Sequence, residues 1–203
     1  MDKGLLIVLS GPSGTGKGTV CKALLNKRPD IILSVSCTTR LPREGEAEGE
    51  SYFFKSFEEF EDLIEKKAFL EYANVYSNYY GTPRSFVEET IAKGKNVLLE
   101  IDVQGALKVK GSYPDGVYIF LVPPTFEELE KRIRSRATET EEKIQERLGK
   151  ASAEMKLMDE YHYVVVNDDV DKVVTRIEGI IETEKLRVKR NKERYKHLRS
   201  DSI

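Results

Sequence analysis

The sequence predicts an α/β fold in which a parallel sheet is covered by helices on both faces. Two observations carry this prediction: short apolar runs alternate with amphipathic stretches, and a glycine-rich loop lies between the first run and the first helix. Helices that connect parallel strands cover both faces of the sheet, so its strands are apolar along their whole length. A chain of 203 residues is long enough to form one such domain.

Four apolar runs have the length and composition of buried strands. The first leads into the glycine-rich loop, the second ends beside Glu100 and Asp102, and the third is stopped by Pro123. The fourth is followed directly by Asn167. We expect all four to pair in one sheet. The runs are residues 5–9, 96–101, 117–122 and 163–166.

Amphipathic segments between these runs predict the helices. The first helix begins near Gly16 and ends before Pro29, because the residue that precedes a proline disfavours helix. Thr125 is expected to cap another helix, since Thr side chains accept a hydrogen bond from the first helical turn. A further helix covers about residues 140–158, and the last begins near Val170.

The stretch of residues 34–83 differs from the core and is rich in polar residues and tyrosine. Turn residues interrupt it, and residues 52–54 have the composition of a strand. Ser56 is expected to cap a helix whose apolar residues recur at helical spacing. This pattern predicts a small mixed α+β subdomain inserted into the core.

Composition excludes several classes of protein. Hydrophobic residues make up 39% of the chain, charged residues 33%, and the formal net charge is -2, which gives no support for general nucleic-acid or membrane binding. Cys21 and Cys37 are too few and too far apart for a disulfide framework or a zinc site. Without an apolar stretch long enough for a signal peptide or membrane helix, the expected location is the cytoplasm.

A phosphate-binding pattern stands between the first strand and the first helix, the setting that this pattern requires. Glycines let backbone N–H groups turn inward around a polyphosphate, and the helix N-terminus adds its positive end. The lysine that closes the pattern reaches the β- and γ-phosphates. The residues expected to hold the nucleotide are Gly11, Pro12, Ser13, Gly14, Thr15, Gly16, Lys17, Gly18 and Thr19.

One position departs from the general pattern. Gly18 stands where a Ser or Thr usually holds Mg²⁺, so no side-chain role in metal binding is assigned to it. ATP oxygens and water are expected to hold the ion. No direct protein ligand is assigned, and Thr19 is left as a candidate.

Arginine and tyrosine side chains cluster inside residues 34–83. Arg40 and Arg43 flank Pro42, and Tyr79 and Tyr80 follow later in the same stretch. Arginine binds phosphate with two parallel hydrogen bonds and tyrosine donates one. Taken alone, each cluster is more often a set of exposed side chains without a binding role than a binding site.

The chain resembles the guanylate kinase family over about residues 4–184. The resemblance depends on six motifs, which occur in the family's order and at its spacing. They are SGPSGTGK at residues 10–17, TTRLPREGE at 38–46, NYYG at 78–81, IDVQG at 101–105, RATE at 136–139 and VNDD at 166–169.

The resemblance implies a nucleoside-monophosphate kinase of the P-loop class. Its members transfer a phosphoryl group from ATP, used with Mg²⁺, to GMP, giving ADP and GDP without a covalent intermediate, in purine nucleotide metabolism. Tolerance of dGMP is also expected. The chain would form a single domain: a core of residues 1–33, 84–124 and 160–203, a GMP-binding insertion of residues 34–83, and a lid of residues 125–159.

The resemblance also assigns residues by position. Arg40, Arg43, Tyr52 and Tyr80 would hold the GMP phosphate, and Ser36, Glu71, Thr82 and Asp102 would bind guanine. Arg132, Arg136 and Arg147 would close over the ATP phosphates, and Asn167 would lie near adenine. The residues expected to act in catalysis are Lys17, Arg40, Arg136 and Arg147. Ala137 stands where the family usually has Gly, which would stiffen the lid.

Two other functions remain as alternatives. The first is a guanylate-kinase-like module that has lost catalysis and binds a partner through the old GMP site, although such modules typically lack an intact phosphate loop. The second is a P-loop kinase with another acceptor, such as AMP or UMP. A GTPase-type switch is disfavoured because no Asn-Lys-x-Asp motif for guanine is present.

The remaining features receive no functional assignment. Residues 185–199 are strongly basic and are expected to form a solvated end of the last helix. The sequence leaves open whether this tail has an anionic partner and whether the chain forms a homo-oligomer. His162 and His197 are expected to be structural or solvated.

Overall fold

A computed structural model describes residues 3–75, 77–135 and 140–199. These residues form a five-stranded sheet, a four-stranded sheet and eight α-helices. In chain order the elements are β1 (Leu6–Ser10), α1 (Lys17–Lys27), β2 (Ile31–Leu33), β3 (Cys37–Thr38), β4 (Phe53–Phe54), α2 (Phe57–Glu65), β5 (Phe69–Val75), β6 (Asn78–Pro83), α3 (Arg84–Ala92), β7 (Asn96–Glu100), α4 (Val103–Ser112), β8 (Val117–Val122), α5 (Phe126–Arg134), α6 (Glu141–Met155), β9 (Tyr163–Val166), α7 (Val170–Lys185) and α8 (Val188–Asn191).

The five-stranded sheet is parallel throughout, in the order β2-β7-β1-β8-β9. Alternate residues of the central strand β1 point to opposite faces. Ile7 and Leu9 pack with the helices α1 and α7, whereas Leu6 and Val8 pack with α3 and α4. Both faces are therefore covered, as the sequence predicts, and all five residues of β1 are buried.

The four-stranded sheet, in the order β4-β3-β6-β5, is formed by residues of the predicted insertion. Its apolar face packs on α2, where the Phe60 ring stacks against Phe69 and Tyr79 at centroid distances of 4.5 and 5.2 Å. Cys37 is buried in the same cluster. The predicted cap of α2 is confirmed, because the Ser56 side chain accepts a hydrogen bond from the Glu59 N–H.

Helices α5 and α6 form a separate pair joined through residues 135–140. Leu129 and Ile133 of α5 pack against Ile144 and Leu148 of α6. Thr125 caps α5 as predicted, since its hydroxyl accepts a hydrogen bond from the Glu128 N–H at 3.1 Å. The connection includes residues 136–139, so the expectation for Ala137 lies outside the described residues.

Several boundaries differ from the sequence-based expectations. β1 begins and ends one residue later, and α6 ends at Met155 rather than near Met158, where a short 3₁₀ turn, Met158–Glu160, follows. The strand β2 and the hairpin β5–β6 were not predicted. β2 has only three residues, and the hairpin carries the polar residues that a binding face needs.

The basic tail is largely exposed, as expected, but it does not continue the last helix, so that part of the expectation is wrong. α7 ends at Lys185, and the chain turns into the short helix α8. The Glu184 side chain is 1% exposed and accepts hydrogen bonds from Arg187 and Arg190 at 3.3 and 2.9 Å. A buried carboxylate needs paired cations, and the two arginines that offset its charge bring the tail back onto the protein.

Within the part of the chain that the structure describes, no helix combines the length and apolarity needed to cross a bilayer.

The stacked rings beneath the small sheet make a stability prediction. Phe60→Ala should lower the free energy of unfolding by about 3–5 kcal/mol, because Phe60 is fully buried and its loss leaves a cavity. Denaturant unfolding followed by circular dichroism measures this change. Phe57→Ala, on the same helix and 47% exposed, should cost about 1 kcal/mol or less. Equal losses in the two variants would contradict the packing described here.

Candidate functional site

The loop of residues 11–16, called the phosphate loop below, connects β1 to α1 at the carboxyl edge of the large sheet. Gly14 and Gly16 have φ angles of 89°, a backbone conformation that residues other than glycine rarely adopt. A Cβ atom on Gly16 would also lie 2.6 Å from Nδ2 of Asn167. Backbone conformation and close packing therefore both require glycine here.

Lys17 is the first residue of α1 and folds back over the phosphate loop. Its Nζ donates hydrogen bonds to the carbonyl oxygens of Gly11 and Pro12 at 2.6 and 3.1 Å. Burial lowers the pKa of Lys17, and the negative charges of Glu100, Glu154 and Asp102 act in the opposite direction. The ammonium group is therefore held at the loop among carboxylates.

Asn167 follows β9, and its side chain contacts the phosphate loop. It is 5% exposed, and its Nδ2 donates a hydrogen bond to the Thr15 carbonyl at 2.7 Å. The backbone carbonyl of Asn167 accepts a hydrogen bond from Arg132 of α5 at 3.2 Å. Arg132 also forms an ion pair with Glu128 at 2.9 Å. One asparagine thus connects the loop to the helix pair α5–α6.

Helix α6 brings a second arginine to the loop. The Nη2 of Arg147 donates a hydrogen bond to the Ser13 hydroxyl at 2.8 Å. The structure thus places Lys17, Arg132 and Arg147 around the phosphate loop. Arg136 lies outside the described residues.

Glu154, in the last turn of α6, is a buried carboxylate that was missed by sequence reasoning. It is 7% exposed, and burial raises the pKa of its carboxyl group. The charges of Lys150 and Lys17 and the Ser13 N–H oppose this rise, whereas the charge of Asp102 adds to it. The sequence offered one signal for Glu154. It lies seven residues after Arg147, and residues seven apart share one face of a helix.

A further carboxylate, Glu100, lies at the start of α1. A Cβ atom on Gly18 would be 3.5 Å from Oε1 of Glu100, so this acid lies against the Gly18 backbone. Burial raises the pKa of the neighbouring Cys21 thiol, and the charge of Glu100 raises it further. Thr19, the next residue of α1, is exposed.

The polar face of the small sheet carries a second group of side chains. Glu71 of β5 is opposite Thr82 of β6, and its Oε1 accepts a hydrogen bond from the Thr82 hydroxyl at 2.8 Å. Cys37 pairs with Gly81, so Ser36 lies level with Thr82 on the next strand. Ser36, Thr82 and Glu71 therefore form a row across the sheet.

Asp102 faces this row from the large sheet. Its Oδ1 caps α4 by accepting a hydrogen bond from the Gly105 N–H at 2.7 Å. A Cβ atom on Gly105 would lie 3.3 Å from Asp102 and 3.5 Å from Oε2 of Glu71, so the two carboxylates flank one glycine. Burial raises the pKa of Glu71, the Thr82 hydroxyl lowers it, and the charge of Asp102 raises it again.

Arg40 and two tyrosines form a third group on the small sheet. The Nη2 of Arg40 donates to both oxygens of Glu46, at 2.7 and 2.9 Å, and its guanidinium lies 5.4 Å from the centre of the Tyr52 ring. The Tyr52 and Tyr80 rings meet edge to face at 5.9 Å. Glu46, which sequence reasoning did not single out, raises the pKa of Arg40.

Arg43 is only partly brought into this group. Its backbone N–H donates to Glu46 at 2.8 Å, whereas the residue as a whole is exposed. Asp102 connects the small-sheet groups with the phosphate loop, because it follows β7, the sheet neighbour of β1, and flanks Gly105 together with Glu71. The sites predicted for a polyphosphate and for a second ligand are therefore adjacent.

Comparisons with known proteins agree on one family. Residues 3–184 match the family model described as guanylate kinase. The chain is 56% identical to a guanylate kinase of Caldanaerobacter subterraneus subsp. tengcongensis, over 99% of this chain and 98% of the relative. It is 54% identical to one of Halalkalibacterium halodurans over 97% of both chains. A crystal structure of guanylate kinase from Anaplasma phagocytophilum matches with a TM-score of 0.73 and 38% identity, over 94% of this chain and 90% of that one.

The hydrogen bond between Thr82 and Glu71 is testable by titration. Thr82→Val removes the donor that lowers the pKa of Glu71, so the pKa of this carboxyl should rise further above its usual value. ¹³C NMR of the Glu side-chain carboxyl carbons against pH measures the change. Thr90→Val, on helix α3, is the control and should leave the titration of Glu71 unchanged, because Thr90 is not among the groups that shift its pKa. An unaltered or lowered pKa in Thr82→Val would contradict this contact.

Proposed function

Because the chain belongs to the guanylate kinase family, we propose that the phosphate loop and the polar face of the small sheet are its ATP and GMP sites. The protein is a guanylate kinase, which uses ATP to phosphorylate GMP, and its fold is that of a P-loop nucleoside-monophosphate kinase. The observation that carries the proposal is the position of Asp102, which follows β7 beside the strand β1 that leads into the phosphate loop and which flanks Gly105 together with Glu71. Phosphoryl transfer needs the two substrates side by side.

The ATP site is proposed to consist of the phosphate loop and three arginines. Inward-facing amides and the N-terminus of α1 favour bound phosphate, and Lys17 reaches the β- and γ-phosphates. Arg132 and Arg147, both in contact with the loop or with Asn167, would add positive charge over the γ-phosphate. Arg136 is proposed to join them, and Asn167 to lie beside adenine while its amide holds Thr15.

The guanine site is proposed to be the row of Ser36, Thr82 and Glu71 together with Asp102. Guanine presents N1–H and a 2-amino group side by side, and a carboxylate accepts a hydrogen bond from each. Adenine has an acceptor at N1 and no 2-amino group, so it would leave the carboxylate unpaired. Such a mismatch discriminates by roughly 10⁴–10⁵-fold.

The GMP phosphate is proposed to bind Arg40, Arg43, Tyr52 and Tyr80. Arg40 is supported by its pairing with the Glu46 carboxylate, whose two oxygens both accept hydrogen bonds from Nη2, as the oxygens of a phosphate would. Its distance from the Tyr52 ring and the contact between the two tyrosines support a joint site. The exposed position of Arg43 leaves its side chain free to turn towards an acceptor phosphate.

A requirement for Mg²⁺ follows from the use of ATP, and the residues at the phosphate loop fit this ion. Gly18 provides no hydroxyl, but the Glu100 carboxylate lies against it and has the hard oxygen atoms that Mg²⁺ prefers. In residues 3–75, 77–135 and 140–199, no group of three or more acidic, His or Cys side chains could hold a metal ion. We propose that ATP oxygens and water hold Mg²⁺, with Glu100 as the protein group and Thr19 as the second candidate. Bound there, the ion would offset charge on the β- and γ-phosphates.

The proposed mechanism is in-line transfer without a covalent intermediate. The attacking oxygen of the GMP phosphate is already anionic, so no general base is needed. Lys17 and the arginines offset the charge that spreads over the transferring group. Closure of the helix pair α5–α6 as a lid, over a core and a GMP-binding insertion, would exclude water that hydrolyses ATP.

The cytoplasm is the proposed compartment. Both cysteines are free and buried, which suits a protein of a reducing environment. The proposed partners are the two nucleotides, ATP and GMP.

The acceptor is identified by a coupled assay of ADP formation from ATP and Mg²⁺. We expect turnover of roughly 1–100 s⁻¹ with GMP and little with AMP, UMP or no acceptor. Activity with a different monophosphate would show that the row around Glu71 is misassigned. A folded protein that binds GMP without turning it over would instead indicate a binding module.

Substitution of the guanine-binding carboxylate tests the second site. Glu71→Gln should lower kcat/KM for GMP by roughly 10- to 100-fold, because an amide cannot accept both guanine N–H groups. The KM of the wild type for GMP should rise as the pH falls through the raised pKa of Glu71, where the ionised form is lost. The Glu71→Gln variant should lack this component of the pH profile. Glu89→Gln, an exposed acid of α3, is the control. Parallel pH profiles for wild type and Glu71→Gln would contradict the assignment.

A further inference from the structure

Helix α4 meets the small sheet at β5, the strand that contains Glu71. β5 lies at the edge of this sheet, and edge strands present backbone groups that other elements must cover. The Ser112 hydroxyl of α4 donates a hydrogen bond to the Leu70 carbonyl at 2.9 Å. Nζ of Lys108, one turn earlier on α4, donates to the Tyr72 carbonyl, also at 2.9 Å. The residues on either side of Glu71 are therefore both attached to α4.

The same helix holds the second carboxylate of the proposed guanine site. Asp102 caps α4 by accepting a hydrogen bond from the Gly105 N–H at 2.7 Å. A Cβ atom on Gly105 would lie 3.3 Å from Asp102 and 3.5 Å from Oε2 of Glu71, so the first turn of α4 lies against both acids. Lys108 and Ser112 follow Gly105 at intervals of three and four residues, which places all three on one face of the helix. One face of α4 thus meets the Glu71 side chain and the backbone on both sides of it.

We propose that Lys108 and Ser112 are positioning residues, which fix Glu71 relative to Asp102 and so set the preference of the acceptor site for a base with a 2-amino group. This inference rests on the proposed function, because the relative position of the two acids matters only if they bind one base.

The two donors belong to a helix of the core, whereas Glu71 belongs to the small sheet. Ala106 and Val109 of α4 are buried against Leu6 and Val8 of the large sheet, so the helix is itself fixed. The bonds from α4 to β5 therefore transmit the position of the large sheet to Glu71. A misplacement of about 1 Å in a binding group can cost about 10²-fold in rate.

The two donors differ in charge, which separates two ways of acting on Glu71. Burial raises the pKa of Glu71, and the positive charge of Lys108 acts against this rise. Removal of Lys108 therefore changes both the position of Glu71 and the charge near it. Ser112 is uncharged, so a loss in Ser112→Ala reports position alone. Its hydroxyl also contacts the Val109 carbonyl of its own helix at 3.1 Å, so the effect of this variant should be the smaller one.

Steady-state kinetics with GMP and with inosine monophosphate, which lacks the 2-amino group, tests the proposal. In the double variant Lys108→Met/Ser112→Ala, kcat/KM should fall by about 5- to 30-fold for GMP and by less than about 3-fold for inosine monophosphate. Ser112→Ala alone should narrow the preference for GMP by about 2- to 5-fold. Lys93→Met, an exposed lysine at the end of α3, is the control and should keep the wild-type preference. Equal losses with the two acceptors, or no loss, would overturn the proposal.

A double-mutant cycle separates positioning of Glu71 from a general loss of structure. If the two donors act through Glu71, adding Lys108→Met/Ser112→Ala to Glu71→Gln should lower kcat/KM for GMP by less than about 2-fold further. Losses that multiply would overturn the proposal. If the double variant does not fold, as judged by thermal unfolding, Lys108→Met alone, at an exposed residue, takes its place in the cycle and decides in the same way. Inactivity of the wild type and Lys93→Met with GMP would instead reject the proposed function.

Discussion

The hydrogen bond from Asn167 to the Thr15 carbonyl is the contact on which the arrangement of the phosphate loop depends. This bond attaches the end of the edge strand β9 to the phosphate loop. The backbone carbonyl of Asn167 accepts a hydrogen bond from Arg132, which attaches the same residue to α5. The close approach at Gly16 leaves no room for a Cβ atom beside this amide. The loop is therefore held by the sheet on one side and by the helix pair on the other.

The small sheet depends on a different constraint, the alternation of side chains along its strands. One face is apolar and packs on Phe60, while the other presents Glu71, Thr82 and Tyr80. A single strand, β6, contributes to both faces, because Tyr79 stacks below the sheet and Tyr80 contacts Tyr52 above it. The packing of the small sheet and its proposed binding face thus depend on alternate residues, so a shift of one residue in register would disrupt both.

Much of this arrangement could be predicted from sequence. The strands β8 and β9, and the caps Ser56 and Thr125, depend on local patterns that the chain displays clearly. What could not be predicted depends on contacts between distant residues. Glu184 looks like an ordinary helix acid until the chain turns back and Arg190 meets it. Arg147 and Ser13 are likewise 134 positions apart in the sequence, and their hydrogen bond forms only in the folded chain.

The two cysteines lie in different cores, Cys21 beneath the large sheet and Cys37 beneath the small one. Burial raises the pKa of both thiols, that of Cys37 to about 11, so each is protonated and shielded in the folded protein. A thiol reagent attacks only the exposed thiolate. The rates at which the two cysteines are modified therefore record how often each sheet opens, and a difference between them would measure whether the insertion unfolds independently of the core.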